Sequence, residues 1–130
     1  MKVLIVDDEK DVSDFFAKLS RAQGYADVDT VASAQEAVAQ VLRQTYDLIT
    51  LDIRMPGASG LEIVAMLRNM CPHAIIAVMS GYLPESVSGE VASCVDVMVD
   101  KPVPIDTFNQ LLAAAAQISG IVREVQLLGS

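Results

Sequence analysis

The stretch Asp47 to Gly60, DLITLDIRMPGASG, decides the fold. Leu48, Ile49, Thr50 and Leu51 make a short apolar run, the pattern of a buried strand. A single carboxylate, Asp52, follows at the strand's end, and Met55-Pro56-Gly57 turns the chain sharply. A carboxylate at that tip has dry walls below it and water above. In open α/β sheets, ligands bind at this edge.

On either side of the stretch, strands and helices alternate. KVLIV at 2–6 is a continuous apolar run ending in Asp7-Asp8. From Lys10 to Gln23, Val12, Phe15, Phe16, Leu19 and Ala22 recur at helical spacing, and Gly24 ends that helix. A second strand is expected over 27–32. Ser33 and Glu36 then form a capping box for a helix with Ala34, Ala37, Val38, Val41 and Leu42 on one face. After the third strand, 60–70 reads as a helix with Ile63, Val64 and Leu67 inward, stopped by Pro72. A fourth strand covers 74–79 and a fifth 95–99. Between them, Pro84, Ser86, Ser88 and Gly89 predict a short or irregular helix. Pro104 suits the first position of a last helix, with Phe108, Leu111, Leu112 and Ala115 inward. Such alternation predicts an α/β fold, a doubly wound five-stranded parallel sheet with helices on both faces.

Composition narrows the function. Hydrophobic residues make up 52% of the 130, enough for a substantial core, and aromatics only 5%, so that core is aliphatic. The net charge of -8 argues against nucleic acid as a direct partner. No apolar run reads as a membrane span, and MKVLIVDDE does not read as a signal peptide, so a cytoplasmic setting is expected. Cys71 and Cys94 fit reduced thiols, with neither a metal spacing nor a disulfide framework.

The strand tips carry Asp7, Asp8, Asp52, Ser80 and Lys101. With the first strand beside the third, and the third beside the fourth and fifth, these side chains converge. Three close carboxylates resist joint ionisation, and a divalent cation removes the conflict. Mg2+ suits oxygen ligands and phosphate. Lys101 and Ser80 could then meet phosphoryl oxygens, and Asp52 is the natural nucleophile, giving an aspartyl phosphate.

These residues carry a resemblance. The motifs LIVDDE at 4–9, DLITLDIRMPGASG at 47–60, VMSG at 78–81 and DKP at 100–102 resemble the receiver domain of two-component response regulators, over about residues 2–118. The resemblance implies a flavodoxin-like strand order 2-1-3-4-5. It implies that Asp52 is the phosphoacceptor, charged by a sensor histidine kinase or phosphotransfer protein. Asp7 and Asp8 would hold Mg2+, with the backbone carbonyl of Arg54 as a further ligand. Ser80 would be the switch hydroxyl, Lys101 the phosphoryl contact, and the Lys101-Pro102 bond a candidate cis peptide. Phosphorylation would move the surface of residues 82–118 to control an output domain or effector protein. Such a domain catalyses only its own phosphorylation and dephosphorylation.

The chain departs from that pattern in places. Met98 stands where the family usually has an aromatic residue three positions before the Lys. Tyr82 and Arg54 are both large beside the path of the hydrolytic water, which predicts a shielded, long-lived phosphoryl group. Residues 119–130 outlast the resemblance and read as a helical extension, linker or terminal tail. Leu111, Ala115, Ile118, Val122 and Val125 give it a coiled-coil-like seam, interrupted at Gly120, and make a homodimer possible. Three other readings are weaker. A haloacid-dehalogenase-like phosphatase needs a second Asp where Arg54 stands. A passive interaction module would have lost part of the acid–hydroxyl–Lys set. A flavodoxin-like cofactor binder would not place Asp7-Asp8-Glu9 where phosphate must sit.

Overall fold

A computed structural model describes residues 1–53, 60–80 and 89–129. Its elements are β1 (Val3–Val6), α1 (Lys10–Ala22), β2 (Val28–Val31), α2 (Ala34–Arg43), β3 (Leu48–Asp52), α3 (Gly60–Met70), β4 (Ile75–Ser80), α4 (Gly89–Cys94), β5 (Val97–Asp100) and α5 (Ile105–Leu128). The five strands are all parallel, in the order β2-β1-β3-β4-β5. This is the expected doubly wound sheet.

Strand alternation divides the core into two layers. Val3 and Ile5 of β1, with Leu48, Ala77 and Met79, meet Phe16 and Ala17 of α1 and Phe108, Leu112 and Ala115 of α5. Leu4 and Val6, with Ile49, Leu51 and Ile76, meet Ala37 and Val41 of α2 and Val64 and Leu67 of α3. Phe16 and Phe108 stack with ring centroids 4.5 Å apart, joining α1 to α5. Cys71 is buried in the second layer, Cys94 is half-buried against that layer, and both are free thiols.

Local chemistry explains several element ends. The Ser33 hydroxyl accepts from the Glu36 N–H at 3.1 Å, and the Glu36 carboxylate accepts from the Ala32 N–H at 2.7 Å. This is the expected capping box, its return bond reaching one residue further back. After α1 the chain reverses at Gly24, whose φ of +96° a side chain would oppose.

Some expectations are corrected. Phe15, counted in the helical repeat of α1, and Leu42, placed on the apolar face of α2, are 45% and 65% exposed, because each helix buries a narrower stripe than its apolar residues span. Pro104 is the N-cap of α5 rather than its first residue. The fifth strand begins at Val97, because the α4–β5 connection uses Val95 and Asp96. Gly120 does not interrupt the last helix. α5 is continuous for 24 residues, since one glycine costs about 1 kcal/mol, too little to break it. By length and composition alone α5 could cross a membrane, against the expectation that no apolar run reads as a membrane span. Its first half, however, is built into the core through Phe108, Leu112 and Ala115.

Candidate functional site

The C-terminal ends of the strands bring the expected residues to one edge. Asp7 follows β1 and its N–H donates to the Val31 carbonyl at 3.0 Å, so the β-ladder itself fixes its backbone. Asp52 ends β3 and Ser80 ends β4. The Lys101 N–H donates to the Ser80 carbonyl at 2.8 Å, which carries Lys101 past the end of β5 to the same edge. Asp7, Asp52 and Ser80 are buried, whereas Asp8 is exposed.

Lys101 joins the acids. Its Nζ donates to Asp7 Oδ2 at 2.7 Å and to Asp52 Oδ2 at 3.2 Å, and lies 3.8 Å from Glu9 Oε1. The other Asp7 oxygen, Oδ1, accepts from the Glu9 N–H at 2.9 Å. One ammonium is therefore shared between two buried carboxylates. Burial pushes the Asp7 carboxyl above its ordinary range; the Lys101 and Glu9 hydrogen bonds oppose the rise and the Asp52 charge adds to it. Burial pulls the Lys101 ammonium down, but its bonds and charge pairing with Asp7, then Asp52, outweigh this and hold it above its usual value.

Asp7, Asp8, Glu9 and Asp52 each offer a carboxylate oxygen, and these oxygens all lie within 4.8 Å of one another. All are hard oxygen donors, the set that Mg2+ or Ca2+ prefers. Four carboxylates gather round the single Lys101 ammonium, so these residues fit a divalent cation. Glu9 was missed as a candidate. Its place in the acidic run Asp7-Asp8-Glu9 was visible in the sequence; its proximity to Asp52 was not.

Beside the acids opens a cavity of about 830 Å3. Asp8, Asp52 and Lys101 line it together with Phe15, Phe16 and Val103. The exposed Phe15 is thus a wall of this cavity. The Lys101-Pro102 peptide is cis, as the resemblance implied. Met98 is half-buried in β5, paired with Val78. Val97 and Val99 face α5, so Met98 points to the opposite side of the sheet. Arg54, Tyr82, the turn Met55-Pro56-Gly57 and most of the irregular 82–93 segment lie outside the described residues.

Residues 3–114 match the response regulator receiver domain family. The chain belongs to that family. It is a receiver domain of two-component response regulators. The chain is 33% identical over 119 residues to the alginate biosynthesis transcriptional regulatory protein AlgB of Pseudomonas aeruginosa, covering 90% of this chain and 26% of AlgB. Over 122 residues it is 32% identical to the transcriptional regulatory protein ResD of Bacillus subtilis, covering 91% and 50%. This receiver therefore spans from about a quarter to about half the length of these relatives. Among solved structures, the response regulator TrrA of Thermotoga maritima, in complex with Mg2+ and beryllium fluoride, is 30% identical with a TM-score of 0.76, covering 88% of this chain and 99% of that one. TrrA in complex with the histidine kinase ThkA is also similar, at 29% identity and a TM-score of 0.75, over 88% and 98%.

Proposed function

We propose that this receiver takes a phosphoryl group onto Asp52 from a phosphohistidine of a sensor histidine kinase or phosphotransfer protein. The observation that carries the reading is the Lys101 ammonium bridging Asp7 and Asp52, at 2.7 and 3.2 Å. An Asp52 oxygen attacks phosphorus in line as the histidine N–P bond breaks, and the imidazole departs. Positioning and charge neutralisation supply nearly all of the catalysis in such a transfer. Lys101 already touches Asp52, so it can follow the new charge onto a phosphoryl oxygen while Asp7 keeps its place. The Ser80 hydroxyl donates to another phosphoryl oxygen. Asp7, Asp8 and Glu9, with Asp52, would hold Mg2+, which neutralises charge on the transferring group. The Arg54 carbonyl completes the proposed ligand set. TrrA, seen with Mg2+ and beryllium fluoride and with a kinase, supports both cation and partner class.

The reading continues to output. The phosphorylated site adds charge and strong acceptors at this edge. Ser80 and Lys101 are the donors, and their movement shifts the surface of residues 82–118 that controls an output domain or effector. Met98 adjusts in place of the usual aromatic, and Tyr82 and Arg54 shield the phosphoryl group from water. We assign residues 1–118 to the receiver and 119–130 to a helical extension, working in the cytoplasm.

Mass spectrometry after incubation with Mg2+ and a small phosphodonor tests the proposal. One added phosphoryl group is expected, absent in Asp52→Asn and absent with a chelator. Labelling that survives Asp52→Asn, or none in the unaltered protein, overturns it.

A further inference from the structure

The cavity beside the acids combines two kinds of lining. Its volume of about 830 Å3 lies in the range of small-molecule sites. Four of the lining residues are acids, Asp8, Glu9, Asp11 and Asp52, against the one ammonium of Lys101. Val12, Phe15 and Phe16 of α1 are apolar. Phosphoryl transfer accounts for the strand-tip acids and Lys101. It leaves Asp11 and the apolar lining without a role.

The α1 helix sets the order of these groups. Asp11 stands in its first turn, and Phe15 follows four positions on, with Val12 between them. Residues at such spacing share one face, about 5–6 Å apart. An acid and an aromatic ring are therefore presented to the cavity one helical turn apart. Phe15 is 45% exposed, yet its ring centroid lies 6.3 Å from that of buried Phe16, which stacks on Phe108. Among the described residues, no basic side chain pairs with Asp8 or Asp11. Lys101 shows what such acids accept, because its primary ammonium lies 2.7 Å from Asp7 and 3.2 Å from Asp52.

We infer that the cavity binds a small arylalkylamine, with its ammonium at Asp8 and Asp11 and its ring against Val12 and Phe15. Charge selects the class. Four carboxylates to one ammonium reject an anionic ligand. A bare metal ion uses only the acids, and a neutral apolar ligand uses only the ring and Val12. An ammonium carried two carbons from an aryl ring uses both, because that separation is on the order of one helical turn. The face of Phe15 also attracts the ammonium itself. Since Asp52 lines the same cavity, a bound amine obstructs the approach of a phosphodonor to it. Its charge also competes with Mg2+ for the acids. This control of phosphorylation rests on the reading of Asp52 as phosphoacceptor and of the acids as Mg2+ ligands; the binding does not.

Amide NMR of the isotope-labelled full chain, titrated with phenethylamine in the presence of a chelator, tests the binding. Saturable shifts are expected at Asp11, Val12, Phe15 and Val103, with a Kd of about 1 mM for a ligand of this size. Phe15→Ser and Asp11→Asn are both at exposed positions, and circular dichroism checks that each is folded. Each should raise the Kd about fivefold. Ethylamine lacks the ring and phenylacetate reverses the charge, and neither should saturate in the same range. Phenethylamine should also slow labelling of Asp52 by a small phosphodonor, and added Mg2+ should restore the rate. Amine binding to a protein that is never labelled supports the cavity assignment and removes the phosphoacceptor reading instead. No saturable shift at these residues, the result for a cavity that only a protein partner enters, overturns the inference. So does phenylacetate binding as well as the amine, or an affinity unchanged in both variants. Full-rate labelling of the amine-saturated protein overturns the control of phosphorylation.

Discussion

Lys101 is the residue on which the metal-free site balances. Asp7 and Asp52 are 4% and 5% exposed, and the Lys101 side chain 16%, so these charges meet with little water between them. A buried ion pair need not stabilise a protein relative to apolar residues, but removing one partner strands the others. Lys101→Met should therefore cost about 2–4 kcal/mol in the metal-free protein, limited by proton uptake at Asp7. Urea unfolding at neutral pH with a chelator measures this. Added Mg2+ should recover part of the loss, because a cation among the acids replaces the missing charge. A variant as stable as the parent would mean that the bridge contributes nothing. The five strand-tip residues were legible in the sequence because each lies at the end of an apolar run. The sharing of one ammonium between two acids was not, since Asp7 and Lys101 lie 94 positions apart.

Among the elements, the α4–β5 connection is held by one side chain that the sequence reading passed over. Arg68 of α3 donates through Nε to the Cys94 carbonyl at 3.1 Å and through Nη1 to the Ala74 carbonyl at 2.7 Å. Its Nη2 reaches Asp96 Oδ2 at 2.6 Å, an oxygen that also accepts from the Ile76 N–H at 2.8 Å. The end of α4 and the starts of β4 and β5 are thus tied to α3. Arg68→Ala should lower stability by about 1.5–3 kcal/mol, mostly through the carbonyl bonds, because the Asp96 pair is partly exposed. Hydrogen exchange should quicken at Ile76 and along β5 while β1 and β2 stay protected. Arg68→Lys should not restore protection, since an ammonium cannot span these acceptors. Uniform loss of protection would refute a local role. Nothing about an isolated Arg on a helix signals this contact; it depends on the α3–α4 packing.

For the whole molecule, Phe108 joins helices that are distant in sequence. It is fully buried and stacks on Phe16, so α5 docks on α1 through this pair. Phe108→Ala should cost about 3–5 kcal/mol by transfer and cavity terms together. Denaturant melts should show it as a lower midpoint with the slope unchanged. A loss below about 1 kcal/mol would mean that the site collapses and that α5 is held elsewhere.

The sequence by itself determined the order of elements, the sheet and the edge at which Asp7, Asp52, Ser80 and Lys101 gather. It could do so because strand runs ending in polar residues constrain one edge however the helices pack. Tertiary structure decided the orientation of α5. That helix carries apolar residues on more than one side, and periodicity does not say which stripe enters the core. Stacking of Phe108 on Phe16 and the Ser119–Asp47 bond make the choice. Tertiary structure also brings Asp52 beside Glu9 and Arg68 to the α4–β5 connection, contacts made between elements and therefore absent from any local pattern.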